Sequence, residues 1–124
     1  MKDNLLSEKS HSFALRMIKL YKFLIQEHKE YVLSKQVLRS GTSIGANIKE
    51  SVYAQSKIDF IHKLSIAQKE TSETHYWLTL LRDSEYIKNN LAESLLRDCD
   101  ELMRLLTASI KTAKGNTKKG VINE

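Results

Sequence analysis

The sequence predicts an all-α fold, an up-down-up-down antiparallel four-helix bundle, and three observations carry the prediction. Apolar residues recur at helical spacing in four successive segments, the mark of helices that each bury one face. Proline is absent and only four glycines occur, too little turn material for a sandwich or barrel. At 124 residues, 41% hydrophobic and 28% charged, the chain has the size and composition of one globular domain around one core. That domain is expected over residues 1–115, with a disordered tail at 116–124 where periodicity stops.

The first helix places Phe13, Met17, Leu20, Tyr21 and Leu24 on one stripe, with Ser10 or Ser12 as its cap, and fails after Glu27. Ser34 is read as the cap of the second helix, which runs to about Ala54 with Val37, Leu38, Gly41, Ile44, Gly45, Ile48 and Val52 inward. Two glycines inside a helix each cost about 0.8–1 kcal/mol relative to alanine, so they are read as sites of close helix approach. A loop at Ser40–Gly45 is the rival reading. Ser56 followed by Asp59 marks the start of the third and longest helix, with Phe60, Ile61, Leu64, Ala67, Thr71, Thr74, Leu78 and Leu81 in the core. After a connection at 84–89, Asn90 with Glu93 fits a capping box for the fourth helix. Ala92, Leu95, Leu96, Cys99, Leu102, Met103, Leu106, Ile110 and Ala113 form its face, and Gly115 is its expected stop.

A bundle helix in a monomer needs one apolar stripe, and the third helix has more. Ile58, Ile66, Tyr76, Trp77 and Leu80 fall outside the core arc, and Leu15 and Phe23 project from the first helix among cations. Self-association through these seven residues is the economical inference. The competing reading makes them half-buried boundary residues within one subunit.

Catalytic and metal chemistry is not indicated. A di-iron bundle needs two Glu-x-x-His pairs and further inward carboxylates, whereas this chain offers one Asp59-x-x-His62 and no core Glu. His11, His28 and His75 are isolated, no phosphate-binding loop occurs, and Cys99 lies mid-stripe as a small hydrophobe. The expectation is a non-enzyme without cofactor or metal. A single cysteine, no leader-like start and no apolar stretch near the roughly 20 residues of a membrane span read as a cytoplasmic chain that does not enter membranes.

The net charge of +5 is unevenly spread: residues 1–55 hold nine Lys and Arg against five acids, and the rest of the chain is nearly balanced. A polyanion would meet the first half. On the outer side of the second helix Lys35, Arg39, Thr42, Lys49 and Tyr53 share one face, the ingredients of backbone contact plus base stacking. Lys19 and Lys22 add cations from the first helix. The plain alternative is a solvated face, or cations paired with acids of a neighbouring subunit.

The stretch from Val32 to Ile48, VLSKQVLRSGTSIGANI, closely resembles the signature of the four-helix bundle family named for 23S rRNA intervening sequences. So does the block Asp59 to Ala67, followed by Lys69-Glu70, Glu73-Thr74 and Tyr76-Trp77-Leu78. The resemblance covers about residues 8 to 113. Some genes of that family lie inside insertions in 23S rRNA genes, the source of a ribosomal-protein label that location alone does not justify. Related proteins serve as accessory factors of bacterial diversity-generating retroelements, basic pentameric rings that bind nucleic acid and a reverse transcriptase. The resemblance thus implies a homopentamer, RNA or DNA as ligand, and a reverse transcriptase as a further partner. The sequence departs from the family at Lys49 and Ser51, where an acid and alanine are usual, and Lys49 makes the outer face more basic.

These readings converge on a non-enzymatic homo-oligomer that binds nucleic acid, structured RNA foremost, through helices one and two. A structural or protein-interaction scaffold is the alternative.

Overall fold

The computed structural model describes the backbone of residues 2–123 and the side chains of residues 5–115. Among the described residues there are four helices: α1 (Lys2–Glu27), α2 (Leu33–Val52), α3 (Lys57–Asp83) and α4 (Asn89–Asn123). Each packs on the next in sequence, and α1 closes the ring against α4 with the least contact. Successive helices run antiparallel, as their cross-links show. Arg39 meets Glu73 while Glu50 meets Lys63, and Lys9 meets Glu101 while Arg16 meets Asp98.

The core follows the predicted periodicity except at Val52, expected inward but 57% exposed because it is the last residue of α2, where the helix runs out past the core. Phe13, Met17, Leu24, Ile44, Leu64, Leu78, Leu81, Leu95, Leu102 and Leu106 are fully buried, and Cys99 packs among them. Burial pushes the Cys99 thiol up to about 12, so it stays protonated and unreactive. Gly41 and Gly45 lie inside α2, which rules out the loop at Ser40–Gly45, and both face α1. A hydroxyl layer fills the space between α2 and α3, where Thr74 Oγ1 donates to Ser40 Oγ at 2.8 Å.

The helix ends differ from expectation in four places. The first helix begins well before Ser10 and Ser12, because Leu6 extends the buried stripe one turn further; Ser10 is an interior residue donating to the Ser7 carbonyl at 3.1 Å. Ser34 does not cap α2. It is buried one residue inside, and the Glu30 carboxylate accepts from the backbone N–H groups of Val32, Leu33 and Ser34 at 3.2, 3.1 and 2.7 Å. An ionised carboxylate serves three orphan donors and suits the positive end of the helix better than a hydroxyl does. The capping box at α4 is also not formed, since Asn90 lies within the helix and its Oδ1 accepts from Leu91 N. Gly115 takes no left-handed conformation and does not stop α4. The tail expected at 116–124 lies outside the described side chains. The cap of α3 is as read, with Asp59 N donating to Ser56 Oγ at 3.0 Å.

Both inter-helix turns at one end of the bundle use a residue with positive φ in place of glycine. Lys29 (φ 52°) follows α1, with His28 N and Glu30 N both donating to the Leu24 carbonyl, and Glu85 (φ 67°) follows α3. Left-handed backbone at a non-glycine residue is held by its surroundings. After Glu85, buried Ile87 pins the chain to the core.

Candidate nucleic-acid interface

The outer face of α2 carries Lys35, Arg39, Thr42, Lys49 and Tyr53 in line, as helical geometry requires. Their surroundings are unequal. Arg39 leans toward α3, where Nη1 donates to the Glu70 carboxylate at 3.2 Å and Nη2 to Glu73. Those hydrogen bonds hold its guanidinium pKa above the ordinary arginine value. Glu73 also accepts from Trp77 Nε1 at 3.0 Å, and this bond, with help from Arg39, holds its carboxyl below the usual glutamate range against the opposing effect of burial. The acids that claim Arg39 therefore belong to the same subunit.

Lys35 and Lys49 are exposed and have no ion-pair partner among the described residues. Tyr53, 76% exposed, stands just past the end of α2. Lys49 and Tyr53 line an open cleft of about 730 Å³ between α1 and α2, with Ser7, His11 and Ser12 opposite and Glu8 at its side. Here an ammonium, an imidazole and an exposed phenol ring border one shallow space, together with exposed Val52 and the Glu8 carboxylate. Thr42 contributes little, because its hydroxyl donates to the Leu38 carbonyl at 2.8 Å.

Lys19 and Lys22 are exposed and likewise unpaired among the described residues. Lys19 is not part of the α2 strip. It lines the groove between α1 and α4 with Arg16, Leu20, Phe23, Leu91 and Leu95, on the side of α1 away from α2. Several other cations are engaged: Lys9 with Glu101 at 3.2 Å, Arg16 with Asp98 at 2.6 Å, Lys63 with Glu50 at 2.9 Å and Arg82 with Asp83 at 2.8 Å.

The residues assigned to self-association divide into two groups. Ile58 (82% exposed), Tyr76 (55%) and Leu15 (55%) stand in solvent in the single chain. Ile66 and Leu80 are half-buried, and Trp77 packs against the core with its indole N–H on Glu73, so Trp77 is a boundary residue as well as a face residue. Phe23 turns toward the end of the bundle, where its ring meets His28 edge-on.

That end holds a cluster that pattern reading did not find. Phe23, His28 and Tyr86 form a chain of edge-to-face rings, with centroids 5.2 and 5.4 Å apart. They line a cleft of about 690 Å³ together with Arg82, Lys88 and the first residues of α4. The signal was an aromatic residue in or beside each turn, at positions with no helical period to flag them.

Among the described residues no group of three His, Cys, Asp or Glu is placed to hold a metal, and no helix is long and apolar enough to cross a membrane.

Comparison with known proteins places this geometry. The chain is 57% identical to a protein of unknown function from the S23 ribosomal protein family of Bacteroides thetaiotaomicron, whose crystal structure superposes with a TM-score of 0.89 over 90% of this chain and 99% of that one. No curated protein matches. The model of the 23S rRNA-intervening sequence proteins matches residues 2–108, nearly the whole bundle, and the chain belongs to that family.

Proposed function

We propose that this bundle is a non-enzymatic homo-oligomer that binds nucleic acid, structured RNA foremost, by phosphate contacts from α2 and α1. The observation that supports this is the unequal use of cations. Arg16, Arg39, Lys9, Lys63 and Arg82 are engaged by carboxylates of their own chain, while Lys35, Lys49, Lys19 and Lys22 stand free of them among the described residues. Lys69, Arg97 and Arg104 on α3 and α4 are also free of ion pairs there, and it is the cation excess of residues 1–55 that favours α1 and α2. Lys49 and Tyr53 line an open cleft with His11, where a phosphate would meet the Lys49 ammonium and a base the Tyr53 ring, with Glu8 as the one opposing charge. Exposed Ile58 and Tyr76 on α3 support contact between copies, which repeats the weak cationic face around an assembly and makes its binding multivalent.

The test is fluorescence anisotropy with labelled RNA and DNA across a salt series, for the parent and for Lys35→Gln with Lys49→Gln. Each phosphate contact contributes about −0.9 to the log–log slope on duplex DNA and about −0.7 on single strands, so the double variant should show a flatter slope and similar loss across unrelated sequences. A parent that binds nothing at low salt makes the scaffold reading the correct one.

A further inference from the structure

The cleft at the turn end of the bundle combines three features that together describe one ligand chemistry. Its walls are aromatic: His28 meets Phe23 at 70° and Tyr86 at 87°, both edge-to-face, and Phe23 and His28 are exposed. Its charges are mixed, with one cation left unpaired: Lys88 has no ion-pair partner among the described residues, Arg82 spends Nε and Nη2 on Asp83 and keeps Nη1, and Glu85 adds a carboxylate to the lining. Its lining includes Asn89 and Asn90, the start of α4, whose first turn carries no acid; Leu91 N there already donates to Asn90 Oδ1, so the helix dipole rather than that N–H is what the turn offers an anion. About 690 Å³ is within the range of small-ligand sites.

We propose that this cleft binds a nucleotide unit, its base against the His28 and Tyr86 rings and its phosphate at Lys88 and the N-terminal turn of α4. The shared chemistry is an aromatic base bearing a phosphate, and its source is either an unpaired nucleotide of a bound strand or a free mononucleotide. The strand is favoured by continuity. Phe23 and Leu91 also line the groove between α1 and α4, so a chain leaving the cleft would pass Lys19 and Arg16. In that form the site deepens the function proposed above and rests on it, whereas the mononucleotide form stands without it.

The experiment compares the parent with His28→Ala and Lys88→Gln, both at exposed positions, after circular dichroism has shown equal helicity and melting. Three probes are used: a single-stranded RNA decamer, a blunt-ended RNA duplex, and 5′-AMP, the last followed by isothermal titration calorimetry in all three proteins and by the His28 ring-proton NMR signals in the parent. A loss of about tenfold in affinity for the decamer in either variant, with duplex affinity unchanged, supports the cleft and the strand as its source. A loss confined to 5′-AMP, with His28 signals moving in the parent, supports the cleft and the free nucleotide. Variants equal to the parent on all three probes overturn the cleft. A parent that binds neither RNA overturns the nucleic-acid reading of the bundle and leaves 5′-AMP to decide this site, and absence of 5′-AMP binding as well overturns both.

Discussion

Gly41 of α2 lies so close to Met17 of α1 that a β-carbon on the glycine would overlap Met17 Cγ and stand 2.7 Å from its Sδ. Met17 is fully buried and has nowhere to retreat. One turn on, Gly45 is less constrained, for its added β-carbon would meet Ser10 Oγ at 3.4 Å, an ordinary contact. The two glycines therefore differ. Gly41→Ala should lower the melting temperature, and Gly41→Leu should cost roughly 1–3 kcal/mol through overpacking. Gly45→Ala should raise it, through a gain of about 0.4–1 kcal/mol in stability, because it removes backbone freedom from the unfolded chain without a clash. Thermal melts of the three variants decide whether close approach is concentrated at Gly41.

Arg39 is expected to hold helices together and not nucleic acid. Its partners Glu70 and Glu73 lie on α3, and its side chain is half exposed, so solvent screening limits the pair to roughly 0.2–1 kcal/mol. Arg39→Gln should melt slightly earlier than the parent yet keep the parent's salt slope in binding. A slope as flat as that of the Lys35 and Lys49 double variant would return Arg39 to the binding face.

The Glu73 carboxyl gives this clasp a pH dependence of definite sign. Its pKa in the folded chain is lowered, first by the Trp77 hydrogen bond and then by Arg39. The unfolded chain therefore binds the proton more readily, and the stabilisation is fully present above the ordinary glutamate value of about 4.3 and lost as pH falls through the folded value. Melting curves of the parent and Glu73→Gln should be separated at pH 7 and converge in acid. A gap that stays constant down to pH 3 would mean that charge at Glu73 contributes nothing.

For self-association, the exposed pair Ile58 and Tyr76 is the sharper probe. Ile58→Ser with Tyr76→Ser should dissociate the assembly while leaving helicity intact, since each such side chain contributes about 1.5–3 kcal/mol when buried between copies and little in the single chain. Trp77→Ala should instead lower the stability of the subunit itself, because the indole packs on the core and serves Glu73. Light scattering and circular dichroism separate the two effects.

Periodicity made the helices and their inward faces legible, down to Cys99 and the two packing glycines, because burial repeats every third or fourth residue and leaves a regular trace. The helix ends were less legible. Glu30 caps α2 from outside the helix, and nothing in a Ser-first reading of caps points to a carboxylate three residues upstream of Leu33. The basic strip was legible as a row of residue types but not as a set of free charges, since Arg39 meets Glu70 and Glu73 only after α2 and α3 pack. His28 and Tyr86, 58 positions apart in the chain, meet at the turns, where no period operates.

The sparse contact between α1 and α4 bears on how the molecule assembles and opens. Three of the four helix interfaces join neighbours in sequence through short turns, so most of the core forms by local loop closure, a topology that folds fast. The α1–α4 seam is different: Arg16 and Asp98 are 82 positions apart, Lys9 and Glu101 further still, and joining them costs more loop entropy than any contact between helices adjacent in sequence. That seam should close last in folding, and in the native ensemble its amides should exchange hydrogen sooner than those between α2 and α3, giving the bundle a built-in direction in which to part.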